Sequence, residues 1–375
     1  MKLLFWLSIV LISYAYFLYP GWLFLRARLY PRPVRSRPIF PKISIVIAVR
    51  NEGKYLEEKL RNLQQLDYPA ELLETLVVSD GSTDRTNHIL SNLSDSRIRS
   101  IFLAAHGGKA EALNHALEAA SGDIVVFMDA RQRVATDSLQ TLLEGFADPT
   151  VGCVSGALML GDGEETSPRG VGSYWKMEKA IRYWESMGGS AVGATGALYA
   201  VRRTLVPRLP SGIILDDVFI PMEVARGGAR VIFEPRALAW DKLPANPRQE
   251  FRRKVRTLFG NYQLLRVAPW LLTAANPLRF EFVSHKLCRL AVPFAIIGMI
   301  AASVFLSGLI YRLPLVAAIC TGTLGALALA RGPRGVTSRL TDLALAFLLL
   351  NTAAIVAFFY FAVGKKQVWV YQTTP

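Results

Sequence analysis

Cysteine is nearly absent: three in 375 residues, at Cys153, Cys288 and Cys320. They are scattered, two of them in or beside apolar stretches, and none has metal-ligand or disulfide-framework spacing. That excludes a disulfide scaffold and a Cys-built metal centre, and leaves packing residues in a reducing compartment. Charge is also scarce, at 19% of residues, and acid is scarcer than base: 29 Asp and Glu against 43 Lys and Arg, a formal net charge of +14. No internal repeat or low-complexity tract is present, which excludes a repeat architecture. No small-x-small cleavage site follows the first apolar stretch, and that stretch is longer than the ~7–15 residues of a signal core, so a permanent anchor is expected.

Hydrophobicity is abundant but uneven. The chain is 52% hydrophobic with mean hydropathy +0.29. Residues 3–25, 290–311, 313–330 and 343–363 carry no charge, and each is near the ~20 residues needed to cross a bilayer. Four spans are expected, with only Arg312 between the second and third; an in-plane or re-entrant segment among the last three is the alternative. Basic residues cluster beside these stretches: Arg26 to Lys42, then 248–256, Lys286, Arg289, Arg331, Arg334 and Arg339. Juxtamembrane bases mark the cytoplasmic side and attract anionic headgroups, which explains the positive charge without a nucleic-acid partner. A multi-pass plasma-membrane protein with a cytoplasmic central block is expected, although Lys365 and Lys366 then fall on the opposite side.

The expected organisation is an anchor at 1–25, a basic Pro-rich linker at 26–42, a globular domain at 43–245, interfacial amphipathic helices at 246–289, three spans at 290–363 and a tail at 364–375. Within the domain, apolar runs at 43–49, 76–79, 98–103 and 124–128 alternate with helical patterns through Leu63, Leu93 and Ala120. Such alternation predicts βαβ units and a parallel sheet. After Asp129 the pattern loosens. Strands are predicted at 151–160, 197–201 and 230–233, helices at 173–184 and 218–225, and a Gly/acid-rich loop at 161–172.

Acids close several of the apolar runs. Asp80 and Asp84 follow LLETLVV, Asp129 follows DIVVFM, and Asp216 and Asp217 follow SGIIL. Open α/β sheets present ligand-binding groups at the carboxyl ends of their strands. Each site also has a plain structural reading. Asp80 before Gly-Ser-Thr could serve only as a helix cap. Gly107-Gly108-Lys109 before a helix suits phosphate, or is a loop with an exposed lysine. Asp129 could hold a divalent cation bridging a diphosphate, and Arg131 could bind the diphosphate as a bidentate donor. The adjacent acids Asp216 and Asp217 repel, which raises one pKa toward that of a general base; the alternative is N-capping of the following helix.

Taken in order, SIVIAVRNE, VVSDGSTD, GGKAEALNHAL, VVFMDAR, GATGALYAVRR, LDDVFIPM, RVIFEP and RRKVR resemble the membrane-bound family 2 glycosyltransferases over about 43–260. The resemblance implies an α/β GT-A fold, a Rossmann-like nucleotide-sugar domain with one N-terminal and about three C-terminal transmembrane helices. It implies inverting transfer from a nucleotide-diphosphate sugar, UDP-sugar foremost. Carried over by position, Ala48, Arg50 and Glu52 match the first nucleotide-contact strand end, and Asp80 the acid for base or ribose. Lys109 matches a donor-pocket lysine, Asp129 the first acid of the metal motif, and Asp217 the base, with Asp216 beside it. Arg253 to Thr257 aligns with the Gln-x-x-Arg-Trp motif, which implies that Arg256 would contact the diphosphate or acceptor. Three positions depart from the family: Ala48 for a frequent proline, Arg131 for the second metal acid, and Arg253 and Thr257 for the Gln and Trp. The second puts the Mg²⁺ or Mn²⁺ requirement in question, and the third weakens a processive reading.

The expected partners are therefore a nucleotide sugar, a lipid or glycan acceptor and the bilayer. The alternatives are a processive synthase-translocator and a catalytically silent nucleotide-sugar-binding protein.

Overall fold

The structure is a computed structural model describing residues 1–161, 171–242, 247–331 and 339–365. The expected loop at 161–172 and the tail beyond Lys365 lie almost wholly outside the described residues. One eight-stranded sheet organises the domain. Its strands are β1 (Ile43–Val49), β2 (Leu73–Asp80), β3 (Ile98–Leu103), β4 (Ile124–Met128), β5 (Arg133–Val134), β6 (Val151–Leu160), β7 (Leu198–Arg202) and β8 (Arg230–Asp241). Their spatial order is β3-β2-β1-β4-β7-β6-β8-β5.

Strands β3, β2, β1 and β4 run parallel, with Val49 opposite Ser79 and Asp80 opposite Leu103. Their carboxyl ends therefore share one edge. The chain leaves β1 toward β2 and β3 on one side and returns to β4 on the other. This reversal opens a crevice between the β1 and β4 ends, where such sheets bind ligands. The parallel arrangement expected of these first four strands does not continue beyond β4, where the sequence pattern loosens. Strand β7 is antiparallel to both β4 and β6, while β6 and β8 are parallel. The regular helical crossovers stop after Asp129, and with them the constraint that keeps strands parallel.

Alternate β1 side chains face opposite cores, as strand geometry requires. Val46 joins Leu76, Val78 and helices 109–119 and 216–226 on one face. Ile43, Ile45 and Ile47 join Val77 and helices 56–64 and 138–143 on the other. Apolar cover on both faces explains why these strands are continuous Val/Ile runs.

Among the described residues four helices are long and apolar enough to cross a membrane: Lys2–Leu29, Arg279–Val304, Leu309–Ala330 and Leu340–Ala362. The break between the second and third falls at 305–308, where Gly308 has φ +125. Arg312 thus lies inside a helix, not at the expected hairpin. The second helix begins at Arg279, inside the region read as interfacial. Its first turns are polar on one side because they dock against the domain: Phe282, Ser284 and His285 are all buried. Helix Pro247–Val267 likewise sets Val255, Phe259 and Tyr262 against Ala353 and Ala357 of the last apolar helix.

Candidate active site

The crevice is built from strand ends that stop in polar turns. After β1 the chain turns sharply at Asn51, whose φ is +53. This turn is laced to the one after β2. Thr83 N–H donates to Asn51 Oδ1 (2.8 Å), Gly53 N–H to Asp84 Oδ2 (3.0 Å) and Arg85 Nε to the Gly53 carbonyl (2.9 Å). Asp84 Oδ1 also accepts Thr86 N–H (2.9 Å), so Asp84 is a capping residue. Ala48 and Arg50 flank the β1 end, both part-buried.

Asp80 is 3% exposed and turned toward the chain's own backbone. It accepts Gly107 N–H (2.7 Å), Gly108 N–H (3.0 Å) and His106 Nδ1 (2.6 Å). Gly108, at φ +94, completes a bend that L side chains rarely allow. The buried acid thereby fixes the loop that launches helix Lys109–Ala119.

Lys109 is placed by that launch. Its Nζ lies 3.0 Å from Asp129 Oδ1 and 3.1 Å from Asp216 Oδ1. Asp216 is 4% exposed and also accepts Tyr199 O–H (3.3 Å). Neither acid of the pair caps its helix through a side-chain bond; both sit in its first turn, beside the helix's positive end. Asp217 Oδ2 instead accepts Gly196 N–H (3.2 Å). A Cβ on Gly196 would stand 3.4 Å from Asp217 Oδ2 and 3.6 Å from Asp129 Oδ2, so this glycine keeps the space between the two carboxylates clear. Burial, with Asp216 next to it, pushes the Asp217 carboxyl up to about 6, against the pull of Lys109. Burial also raises Glu52, to about 6, with Arg131 opposing and Asp129 reinforcing the shift.

Arg131 is committed within the protein. It donates Nε and Nη2 to the two oxygens of Asp241 (3.0 and 2.8 Å). Arg253 Nη1 reaches the same carboxylate (2.9 Å), and its Nε lies 3.4 Å from Glu250. Asp241, 1% exposed, thus ties the turn after β4 to helix 247–267, which also carries part-buried Arg256. Sequence reasoning missed Asp241, although it ends an apolar run, ALAW, in the manner of Asp129. It also missed Lys59, which is buried behind Asp129 and donates to the Gln132 carbonyl (2.9 Å). Burial lowers the Lys59 ammonium to about 8, with Asp129 opposing.

Asp129, Lys109, Asp216 and Asp217 are therefore brought together, with Glu52 and Arg131 within electrostatic reach of Asp129. Asp80 acts on this group through the 106–108 loop. Among the described residues no three His, Cys, Asp or Glu form a cation-binding group. A cation that arrives with a diphosphate needs only one or two carboxylates. Asp129 fits that need: its Oδ1 takes Lys109, and its Oδ2 faces the gap at Gly196. Charge argues the same way, because three carboxylates surround the one ammonium of Lys109. The resulting excess would repel a bare diphosphate.

Residues 44–208 match the family model for glycosyl transferase family 2. Among curated proteins, the chain is similar to a β-monoglucosyldiacylglycerol synthase of Nostoc sp., 29% identical over 186 residues, covering 48% of this chain and 38% of that one. It is similar to a poly-β-1,6-N-acetyl-D-glucosamine synthase of Staphylococcus aureus, 25% identical over 233 residues, covering 60% and 55%. The chain spans about half the length of these relatives, or less. Among solved structures it is similar to a mannosyltransferase of Pyrobaculum calidifontis in complex with GDP-Man and Mn²⁺. That match is 25% identical, covers 96% of this chain and 99% of the other, and has a TM-score of 0.73. Sheet, crevice and family model coincide over β1 to β7: residues 44–208 match glycosyl transferase family 2 on a GT-A-like sheet, and among the described residues four helices of membrane-spanning character accompany them.

Proposed function

We propose that the protein transfers a sugar, with inversion, from a nucleoside-diphosphate donor to a hydroxyl of a lipid, lipid-linked glycan or polysaccharide at the cytoplasmic face of the plasma membrane. The observation that carries this reading is the convergence of Asp129, Lys109, Asp216 and Asp217 on the β1/β4 crevice. Asp217 accepts the acceptor's proton as the hydroxyl attacks the anomeric carbon, and the bond to the diphosphate breaks on the opposite face. Negative charge then grows on the leaving nucleoside diphosphate, where Lys109 stands ready to stabilise it. Asp216 holds Lys109 in place from a buried position. Asp129, together with the donor, would hold a divalent cation, which when bound would supply further Lewis-acid stabilisation of that charge. Arg131 and Arg253, locked by Asp241, wall the site on the β8 side; Ala48, Arg50, Glu52 and Asp80 frame the nucleoside side, and Arg256 faces diphosphate or acceptor.

A UDP-sugar is the leading donor. GDP-mannose stands beside it, because the solved mannosyltransferase that aligns along nearly the whole chain holds GDP-Man. The polysaccharide-synthase relative favours a second reading, repeated addition to one chain. The test is a panel of UDP-, GDP- and dTDP-sugars on membranes containing the protein, with EDTA, Mg²⁺ or Mn²⁺. The expected result is transfer from one donor class, lost in EDTA and restored by the cation, with an Asp129→Asn variant needing at least about tenfold more cation. A single added sugar supports the first reading and a product ladder the second. No turnover of any donor under any condition would overturn both in favour of a silent binder.

A further inference from the structure

Helix Val171–Gly188 and the first turns of helix Arg279–Val304 meet through buried charge. His285, 2% exposed, lies in the π-turn 283–287, a wider turn often found where a helix presents a functional side chain. Its Nδ1 stands 2.8 Å from Glu185 and its Nε2 3.2 Å from Glu178, two residues on one face of the opposing helix. Both ring nitrogens thus face carboxylates, which the ring serves together only as a double donor, the imidazolium. Glu178 is held besides by Arg289 Nη1 (2.7 Å) and Arg182 Nε (3.5 Å). Glu185 is almost wholly buried and forms no other ion pair among the described residues. Its remaining partners are Tyr19 O–H (3.0 Å) and Val192 N–H (3.2 Å).

Val192 opens a segment that leads to Asp217. After its bond to Glu185, Ala194 N–H donates to the Asp217 carbonyl (2.7 Å) and Gly196 N–H to Asp217 Oδ2 (3.2 Å). The even-numbered N–H groups of this segment therefore serve either Glu185 or Asp217. The odd-numbered ones tie it to the sheet: Ala191 N–H donates to the Val231 carbonyl (2.8 Å) and Thr195 N–H to Ser155 Oγ (3.0 Å). Burial works to raise the Glu185 carboxyl, and His285 outweighs it with the help of Val192 N–H, holding the group below the usual carboxylate range. An ionised carboxylate accepts an N–H more strongly than a neutral group does. A buried carboxylate stripped of its paired cation is costly, so Glu185 keeps this role only while His285 faces it.

We propose that His285 is a positioning residue for the base Asp217: it keeps Glu185 on Val192 N–H, and so sets the 192–196 segment whose Gly196 N–H holds the Asp217 carboxylate. This rests on the transfer reaction proposed above and extends it to a residue of a membrane-type helix. The competence of the base is thereby tied to the docking of helix Arg279–Val304 on the domain. Without the Glu185 arm the segment relaxes, Asp217 loses Gly196 N–H, and its ionised form is less favoured.

The test exploits the two ends of the ring. The amide nitrogen of asparagine stands where Nδ1 stands, and that of glutamine where Nε2 stands. His285→Asn therefore keeps a donor for Glu185, and His285→Gln keeps one for Glu178 alone. The full-length parent and both variants are assayed in membranes with labelled UDP-glucose, UDP-N-acetylglucosamine and GDP-mannose, and transfer is followed against pH. His285→Gln is expected to move the acid limb of kcat/KM up by about one pH unit, the tenfold that one lost charge-assisted hydrogen bond represents. Its donor KM is expected to stay within about twofold of the parent's, because the lost contact serves the base and not the donor. His285→Asn is expected to keep the limb where the parent has it. The position of a limb does not depend on how much protein is folded, and a purely structural role would harm the shorter asparagine at least as much as the glutamine. A limb unmoved in His285→Gln, or moved equally in both variants, overturns the positioning role and leaves the transfer reading standing. A parent that turns over none of the donors overturns the transfer reading, and this role with it.

Discussion

Asp217 is pulled two ways. Burial and Asp216 favour its protonated form; Lys109, Arg182 and Lys286 favour the carboxylate. The upward shift wins, which suits a base that must release its proton again near neutral pH. The ionised form is the active one, so kcat/KM is expected to fall about tenfold per pH unit below about 6 and to level off above it. Asp217→Asn keeps an oxygen for the Gly196 N–H but cannot take a proton. Turnover is expected to drop by about 10²–10⁴ with donor affinity little changed. Stability runs in the other direction. A carboxyl raised in the folded state binds its proton more tightly than the unfolded chain does, so its contribution declines as pH climbs from the ordinary carboxylate value through about 6. At pH 7 the asparagine variant is expected to melt no lower than the parent. A variant that kept most of its turnover, or lost it only by unfolding, would remove Asp217 from the base role.

At the scale of elements, the site depends on a relay: strand β2 ends in Asp80, Asp80 holds the 106–108 loop, and that loop aims Lys109 at Asp129 and Asp216. Asp80→Ala leaves two backbone N–H groups and His106 without their acceptor in a mostly buried place. A loss of about 3 kcal/mol in unfolding free energy is expected, together with a raised donor KM as Lys109 loosens. Were Asp80 chiefly a contact to base or ribose, as the family resemblance implies, donor KM would rise while the unfolding midpoint stayed put. Much of the sheet around this relay was legible: the predicted bounds of β1, β3, β4 and β6 match the observed ones, and β2, read at 76–79, extends over Leu73–Asp80, because an apolar run covered on both faces has no competing pattern. What escaped had physical reasons. Strand β8 reads as ending at Phe233 because Glu234-Pro235-Arg236 looks like a turn. The strand instead continues through a register shift opposite Ser155 and Ala157, which hid Asp241 and with it the commitment of Arg131 and Arg253. Two-residue β5 is too short for any periodicity to show. Arg312 looked like a loop residue because charge is costly within a span, yet the chain breaks earlier, at 305–308, where Gly308 supplies the turn.

On the scale of the whole molecule, the first and last thirds of the sequence meet beneath the domain. Helix Lys2–Leu29 and helix Arg279–Val304 both carry a π-turn, at 14–18 and 283–287, and Tyr14 O–H meets Ser284 Oγ between them (2.7 Å). Tyr19 reaches Glu185 of the domain, and Arg26 reaches Glu281 at 2.6 Å, with side-chain exposures of 30% and 10%. A pair this shielded, with a short charge-assisted bond, contributes more than an exposed surface bridge. It also joins residues 255 positions apart, so it seats the N-terminal helix against the helix that bears His285. Arg26→Glu sets two carboxylates against each other and is expected to cost about 2 kcal/mol or more, read as an earlier thermal transition in detergent. Glu281→Arg is expected to do the same with two guanidiniums. Combining them restores opposite charges in swapped places, so the double variant is expected to recover more than half of the summed loss, and with it the acceptor kcat/KM that the single variants lower. If the double variant were as unstable as the two losses added together, the pair would be an incidental contact and the helices would be held by apolar packing alone. Recovery of both readouts would instead mean that the membrane helices set the geometry of the acceptor side, which a soluble domain lacking them could not reproduce.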